Sequence, residues 1–119
     1  MKKAIILIYP STRTRHLIKE VRELGYTPVV IPFSKYDKSL DSFVDETFIN
    51  QLNAAVKSEK YTKYKPDIIE FDKDMNYQKM VDLIKNKYDV LAVIPCSDPT
   101  LRIGDFFQKA FKLKSNAQE

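Results

Sequence analysis

Two short runs of apolar residues, Ala4 to Ile8 and Pro28 to Ile31, constrain this sequence most, because both are rich in β-branched side chains and neither alternates with polar ones. Uninterrupted runs of this kind predict strands that are covered on both faces, as in a parallel sheet. The segment between them has helical periodicity, ends before Gly25, and can be capped by Ser11 or Thr12. Its apolar side consists of Leu17, Ile18, Val21 and Leu24. A strand, a helix and a strand within about thirty residues predict a parallel βαβ unit.

The second half of the chain repeats this order of elements. Residues 66–71 (PDIIEF) predict a short strand, and residues 89–95 (DVLAVIP) predict a fourth strand. The helix predicted between them has an apolar stripe of Tyr77, Met80, Val81, Leu83 and Ile84. The last helix would bury Leu101, Ile103, Phe106, Phe107, Ala110 and Phe111. Right-handed crossovers then give the predicted α/β fold: a doubly wound, Rossmann-like open sheet of at least four parallel strands with helices on both faces.

Residues 33–65 form an insertion between the second and third predicted strands. Apolar residues recur there at helical spacing, which predicts at least one amphipathic helix. They are Leu40, Phe43, Val44, Phe48, Leu52 and Val56. The stretch that follows, KSEKYTKYK at residues 57–65, is basic and contains two tyrosines. We interpret it as a solvated helix end and loop. The alternative is a nucleic-acid contact through Lys57, Lys60, Lys63, Lys65, Tyr61 and Tyr64.

Length and composition exclude several classes of protein. A chain of 119 residues is sufficient for one domain with its own core. The formal charge of +4 comes from scattered lysines and arginines, which is weak support for a nucleic-acid partner. The single cysteine excludes an internal disulfide, and no spacing of cysteine and histidine indicates zinc. No run approaches the roughly 20 apolar residues of a membrane helix, and the apolar start is typical of a strand rather than a signal peptide. We therefore expect a cytoplasmic protein without a membrane partner.

Polar residues gather directly after the first and the fourth predicted strands. PSTRTRH occupies residues 10–16, and PCSDPT occupies residues 95–100. The carboxyl ends of parallel strands share one edge of a sheet, where such sheets bind ligands, and the helices that follow direct backbone N–H groups towards an anion there. The chain has only two glycines and neither lies in these turns, so a dinucleotide fingerprint and a P-loop are both absent. We therefore expect a binding site that performs no chemistry alone.

Several residues of the two turns allow more than one interpretation. Asp98, followed by Pro99, has the pattern of a helix N-cap with proline at the first helical position. Ser97 either caps the same helix or donates a hydrogen bond to a ligand. Arg15 either reaches an anionic ligand or lies in solvent.

No catalytic or metal-binding residue is predicted. His16 is the only histidine, so the chain has no pair of histidines for a metal, and nothing around it indicates a nucleophile and its base. Cys96 has no neighbour in the sequence that would lower the pKa of its thiol. We interpret it as a small half-buried residue rather than a nucleophile.

Residues 6–31 (ILIYPSTRTRHLIKEVRELGYTPVVI) and 89–116 (DVLAVIPCSDPTLRIGDFFQKAFKLKSN) together carry a family resemblance. They resemble the N-terminal, pre-ATP-grasp domain of ATP-grasp ligases, in particular the biotin-carboxylase-like members and those that join amino acids. The first turn of that family commonly reads Pro-aromatic-Ser-Ser-Gly-Arg. The later turn reads Gly-Ser-Glu before a helix that carries Ala-Asp, and a Gly-Leu-Pro-Gly-Asn segment then leads to the ATP-binding part.

The motif residues of the family can be matched to individual positions of this chain. The matching positions are Ser11, Thr12 and Arg15 in the first turn, Ser97 and Asp98 in the second, Gly104 and Asp105 in the last helix, and residues 112–116 in the closing segment. Thr14 and Cys96 stand where the family has glycine. The likeness extends through residues 67–89 and so covers nearly the whole chain.

The resemblance implies that a second module performs the chemistry. In such enzymes the following ATP-grasp module binds Mg-ATP, activates a carboxylate as an acyl phosphate and transfers it to an amine or another nucleophile. The N-terminal domain lines the substrate side of the cleft. We expect residues 1–113 to be this domain, with the helical insertion at 33–65, and residues 114–119 to begin a linker to the ATP-grasp module.

The substrate-binding residues that the resemblance implies are Ser11, Thr12, Arg15, Ser97 and Asp98. The implied substrate is a small carboxylate or an amino acid. The chain alone would bind no cofactor, and ATP and Mg²⁺ are implied for the full-length enzyme.

A second hypothesis is a stand-alone, non-catalytic binding or dimerisation module, because no complete catalytic set is present. A homodimer would form through the insertion helix, around Phe43 and Phe48. Under both hypotheses we expect the isolated chain to have no enzymatic activity.

Overall fold

Four strands and five helices make up the part of the chain that the structure, a computed structural model, describes: residues 1–11, 13–34, 46–70, 76–96 and 101–112. The first half contains β1 (Lys2–Ile8), α1 (Leu17–Glu23), β2 (Thr27–Ile31), α2 (Glu46–Val56) and α3 (Glu59–Thr62). The second half contains β3 (Asp67–Ile68), α4 (Tyr77–Lys85), β4 (Tyr88–Pro95) and α5 (Leu101–Ala110). The alternation of strands and helices confirms the α/β class.

The four strands form one sheet in the order β3-β2-β1-β4, and every neighbouring pair is parallel. Ile8, at the end of β1, lies opposite Ile31 of β2 on one side and opposite Pro95 of β4 on the other. The first three strands are added in one direction, and the chain then crosses to the far side of β1 to form β4. The predicted open sheet of four parallel strands is confirmed, and the reversal of direction lies between β1 and β4.

Two hydrophobic clusters take alternate residues of β1. The first cluster contains Ala4, Ile6 and Ile8 together with buried residues of α4 and α5, including Ile84 and Phe107. The second cluster packs Leu7 against Ile18, Val21 and Tyr61 of α1 and α3, with Val30 of β2 and Cys96. Because successive side chains of a strand point to opposite faces, two such clusters are the pattern that helices on both faces produce. The doubly wound arrangement itself stays a prediction.

Several boundaries and faces differ from the sequence predictions. The first α-helix begins only at Leu17, and its N-cap is His16, which makes no side-chain capping bond, so the predicted cap at Ser11 or Thr12 was wrong. Leu83 is 40% exposed although it was assigned to the buried stripe of α4, and Phe106 of α5 is 36% exposed. Both residues lie on helices, as predicted, but their exposure shows that only part of each apolar stripe faces the sheet.

The predicted helix of the insertion is present as α2. Among the described side chains of α2, Ile49 is buried in the core, and the predicted stripe did not include it. Residues 40, 43 and 44, and the side chains of Phe48, Leu52 and Val56, lie outside the described part of the structure. The helix is present as predicted, and among its described side chains Ile49 packs into the core.

The basic stretch after α2 contributes to the fold. Tyr61 is buried and Tyr64 packs against the second cluster. Arg22 of α1 holds this stretch by two bonds of 2.9 Å: its Nε donates to the carbonyl of Tyr64 and its Nη2 donates to the carbonyl of Lys65. These two tyrosines therefore stabilise the packing against α1, and the buried Tyr61 ring presents no open face to a nucleic-acid base.

No helix within the described ranges combines the length and the apolar character that crossing a bilayer requires.

We expect Tyr88 to make the stability of this fold depend on pH in the alkaline range. Its side chain is buried, and its hydroxyl donates a hydrogen bond to the Asp67 carboxylate, which links the two edge strands of the sheet. Burial first, and then the hydrogen bond and charge of Asp67, raise the pKa of Tyr88 above its usual value of 10.0. Because the folded state holds this proton more tightly than the unfolded chain, the stabilisation is complete below about pH 10 and is lost as the pH rises through the raised pKa.

Replacing Tyr88 by phenylalanine is expected to lower the free energy of unfolding by about 1–2 kcal/mol near neutral pH. It should also flatten the decline in stability above about pH 10, because the titrating phenol is gone. Urea unfolding at a series of pH values measures both effects. The Cys96 thiol, whose pKa burial raises to about 11, titrates in the same range, so the comparison is repeated in a Cys96→Ala background. An alkaline decline as steep as in the wild type would contradict the prediction.

Candidate functional site

The carboxyl ends of β1 and β4 lie side by side. Ile8 is the register partner of Pro95, and the backbone N–H of Cys96 donates a 3.0 Å hydrogen bond to the carbonyl of Ile8. Tyr9 and Cys96, the first residues after the two strands, therefore lie at the same edge of the sheet, where the strand order reverses. In open α/β sheets this is the position at which ligands bind.

Tyr9 turns the chain out of β1. It is fully buried and has a φ of +55°, in the left-handed region that side chains other than glycine rarely adopt. Its backbone N–H donates to the carbonyl of Ile31 at 2.8 Å, and its ring stacks on Phe33 with the centroids 4.6 Å apart and an angle of 16° between planes. Packing and hydrogen bonding hold a conformation that costs about 1–2 kcal/mol in an isolated residue. Local backbone strain of this kind is concentrated at functional sites.

The turn that contains Ser11 is held by its own hydrogen bonds. The carbonyl of Ser11 accepts from the backbone N–H of Arg15 at 2.9 Å, and its N–H donates to the Thr14 hydroxyl at 2.8 Å. Its side-chain oxygen accepts a longer bond of 3.3 Å from the N–H of Arg13. These hydrogen bonds hold the turn at the carboxyl edge of the sheet, between the end of β1 and the start of α1.

Arg15 is half-buried, and its guanidinium lies over the ring of Tyr61 in α3. Its guanidinium carbon is 5.6 Å from the centroid of the Tyr61 ring. A cation at this distance over an aromatic face gains about 0.5–1 kcal/mol and keeps its hydrogen-bond donors available in the plane of the guanidinium. Arg15 is thus positioned by an aromatic ring rather than extended freely into solvent.

Cys96 adjoins the first turn. Its side chain is buried, and burial raises the pKa of the thiol to about 11, an effect that hydrogen bonding to the Thr14 side chain and to the Ile8 backbone partly offsets. The thiol therefore stays protonated at neutral pH and is a poor nucleophile, in line with the interpretation from sequence. The expectation that it would be half-buried was wrong, since only 7% of it is exposed. Through Thr14 and Cys96 the first turn contacts the residue that directly follows β4.

Three of the five predicted substrate-binding residues lie outside the described residues: Thr12, Ser97 and Asp98. The structure places Ser11 and Arg15 at the carboxyl edge of the sheet, and it places Cys96, the residue before Ser97, beside them. That all five residues bind the substrate stays a prediction.

Gly104 allows α5 to pack directly on the end of β4. A Cβ atom at this position would lie 2.8 Å from Cγ of Pro95, closer than Cβ atoms approach other heavy atoms in proteins, and 3.2 Å from Cβ of Pro95, which is a tight contact. The resemblance aligns Gly104 with an alanine of the ligase family. In this chain, an alanine would push the helix away from the strand that leads into the second turn.

A cavity of about 410 Å³ lies further along the same edge, beyond β2 and β3. It is lined by Phe33, Ser34, Glu46, Ile49, Asn50, Asn53, Ala54, Lys57 and Glu70. The Asn53 amide donates to the carbonyl of Phe33 at 2.8 Å, and the Lys57 ammonium pairs with Glu70 at 2.7 Å. Its volume suits a small molecule, and its walls offer charged and amide groups beside an aromatic ring.

Sequence reasoning did not find this cavity. Glu46, Asn50, Asn53 and Lys57 recur at spacings of three and four, so one polar face of α2 could have been noticed. Nothing in the sequence shows, however, that this face lies over the end of β2. Phe33 also stacks on Tyr9, so the wall of the cavity is continuous with the turn that follows β1.

Within the described residues, no group of three or more histidine, cysteine, aspartate and glutamate side chains is arranged to hold a metal ion. Comparison of the chain with protein-family models, with curated proteins and with solved structures gave no match.

Proposed function

We propose that this chain is the N-terminal, substrate-side domain of an ATP-grasp ligase that joins a carboxylate to an amine or a thiol. The observation that supports the proposal is that the carboxyl ends of β1 and β4 are adjacent, at the point where the strand order reverses. The resemblance assigns the substrate contacts of such ligases to these two turns. Acyl-phosphate formation would be performed by an ATP-grasp module that binds ATP and Mg²⁺.

The residues of the edge suit the recognition of a small acid. Arg15 supplies a fixed positive charge, which can bind a carboxylate through two N–H groups. Ser11 supplies a hydroxyl on a rigid turn, and Thr12, Ser97 and Asp98 would complete the contacts. The cavity beside Phe33 would accommodate the remainder of the substrate. In this proposal the domain orients its ligand and no residue of the chain reacts.

The resemblance also supports proposals on partners and location. The ATP-grasp module would cover the carboxyl edge of the sheet and close the cleft over the substrate. A lone thiol that stays protonated and a demand for Mg-ATP favour the cytoplasm.

Dimerisation through the insertion helix is the competing proposal. Sedimentation separates the two, because a stable dimer of the isolated domain supports dimerisation and a monomer supports the substrate-side domain.

The isolated chain is expected to show no magnesium-dependent hydrolysis of ATP above the buffer blank, because neither turn carries an ATP-binding glycine loop. The protein encoded by the full reading frame should release ADP only when an acid and an acceptor amine or thiol are both supplied. Coupled ADP assays on the two forms, across a panel of amino acids, test this. ATP hydrolysis by residues 1–119 alone, or a reading frame without a following ATP-binding module, would contradict the proposal.

A further inference from the structure

A second hollow lies at the opposite end of the sheet from the candidate substrate site. It has a volume of about 490 Å³ and is lined by Lys2, Arg22, Lys63, Tyr64, Lys65 and Asp67. Lys2 begins β1 and Asp67 begins β3, so this amino-end hollow lies where the parallel strands start. It is therefore separate from the edge at which Ser11 and Arg15 lie.

The charge of the amino-end hollow is strongly unbalanced. Four of its six lining residues are cationic, and its one carboxylate, Asp67, already accepts a hydrogen bond from Tyr88. The ion pairs found among the described residues, Lys57 with Glu70 and Lys109 with Asp105, involve none of these cations. Like charges gathered around one hollow repel one another, and an anion bound between them would relieve that repulsion.

Contacts position the side chains of two of these four cations, Arg22 and Lys63. Arg22 is half-buried and fixed by its two bonds to the carbonyls of Tyr64 and Lys65. Lys65 has a φ of +53°, a left-handed conformation that these bonds help to hold. The Lys63 ammonium lies 5.2 Å from the centroid of the Tyr64 ring. Positioned cations lose less entropy on binding an anion than free surface lysines do.

We propose that the amino-end hollow binds a small multivalent anion that carries several phosphate or carboxylate groups. The size of the hollow suits a compact ligand. A nucleic-acid strand would need exposed aromatic faces for its bases, whereas Tyr64 packs against the second cluster and Tyr61 is buried. This inference goes beyond the proposed ligase function and does not depend on it, because it concerns a different end of the sheet.

Calorimetric titration of the chain with inorganic triphosphate and with citrate, at low and at physiological ionic strength, tests the proposal. We expect saturable one-to-one binding that weakens with salt. The Lys63→Gln/Lys65→Gln double variant should weaken binding at least about tenfold, because it removes two charges in direct reach of the anion. The matched control, Lys85→Gln/Lys109→Gln, loses the same charge on α4 and α5 and should change affinity less than about twofold. The tighter of the two probes identifies whether phosphate or carboxylate is preferred.

Three results would overturn the inference. The first is no saturable binding of either probe at low ionic strength. The second is an equal loss of affinity in the two double variants, which would show that net charge and not the hollow attracts the anion. The third is binding of single-stranded RNA that triphosphate does not displace, which would make this surface a nucleic-acid interface. Each result leaves the ligase proposal untouched, since that proposal is tested by the release of ADP.

Discussion

Alanine at Arg15 is expected to lower kcat/KM for the carboxylate substrate at least about tenfold in the full-length enzyme, with the KM for ATP changed less than about twofold. The reason is that the half-buried guanidinium is the positive charge fixed beside the Ser11 turn, and a charged hydrogen bond to a carboxylate is worth about 1.5–3 kcal/mol. Steady-state kinetics with acid and ATP varied in turn measure both constants. Ser97→Ala should act on the same constant with a smaller effect.

The same turn offers a matched control for Arg15. Arg13 is exposed, two residues away, and Arg13→Ala removes an equal charge, so its kinetics should stay close to those of the wild type. Arg15→Lys keeps the charge but loses the planar pair of donors, and an intermediate loss is expected. Circular dichroism checks that removing the contact with Tyr61 leaves the fold intact. Unchanged kinetics for both Arg15→Ala and Ser97→Ala would exclude these turns from the active cleft.

Gly104→Ala is expected to destabilise the domain by about 2 kcal/mol, with a fall in Tm of about 8 °C. Alanine is ordinarily favoured over glycine in a helix by about 1 kcal/mol. Here the added methyl group would overlap the Pro95 ring, and moving either α5 or the end of β4 disturbs the buried contacts of Ile103 and Phe107. The steric effect therefore opposes and outweighs helix propensity. Thermal and urea unfolding of the variant measure the net result.

A double-mutant cycle isolates the contact between Gly104 and Pro95. In a Pro95→Ala background the ring is gone, so Gly104→Ala should be neutral or stabilising, with a coupling energy of more than about 1 kcal/mol. If alanine at Gly104 destabilised both backgrounds equally, the contact with Pro95 would not be the cause. If it stabilised the wild type, the close approach of α5 to β4 would be contradicted.

Regular elements were predictable because their signals are local. The apolar run Pro28 to Ile31 predicted a strand that is covered on both faces, and all five residues of β2 are buried. The stripe of Met80, Val81 and Ile84 predicted a helix, and all three side chains are fully buried. Each of these patterns depends only on the spacing of apolar residues within a single strand or helix.

The candidate site was predictable only in part. The polar turn after β1 could be predicted because it directly follows an apolar run, and Arg15 of this turn lies two residues before α1 begins. Residues 97–100 of the second predicted turn lie outside the described part of the chain. The left-handed conformation of Tyr9 could not be predicted, because the position is not a glycine and the conformation is held by Ile31 at the end of β2 and by Phe33 just after it. The cavity was missed for the same reason, because Phe33, Asn53 and Glu70 meet only after folding.

The sequence by itself determined that this chain has four parallel strands joined by helices, because burial on both faces and helical periodicity are properties of single segments. Only the tertiary structure decided which strands are neighbours, and hence that Ile8 lies beside Pro95. It also decided which part of each apolar stripe is covered, so that Leu83 and Phe106 remain exposed while Ile49 is buried. These outcomes depend on contacts between residues far apart in the chain, and their energies arise only when whole elements pack together.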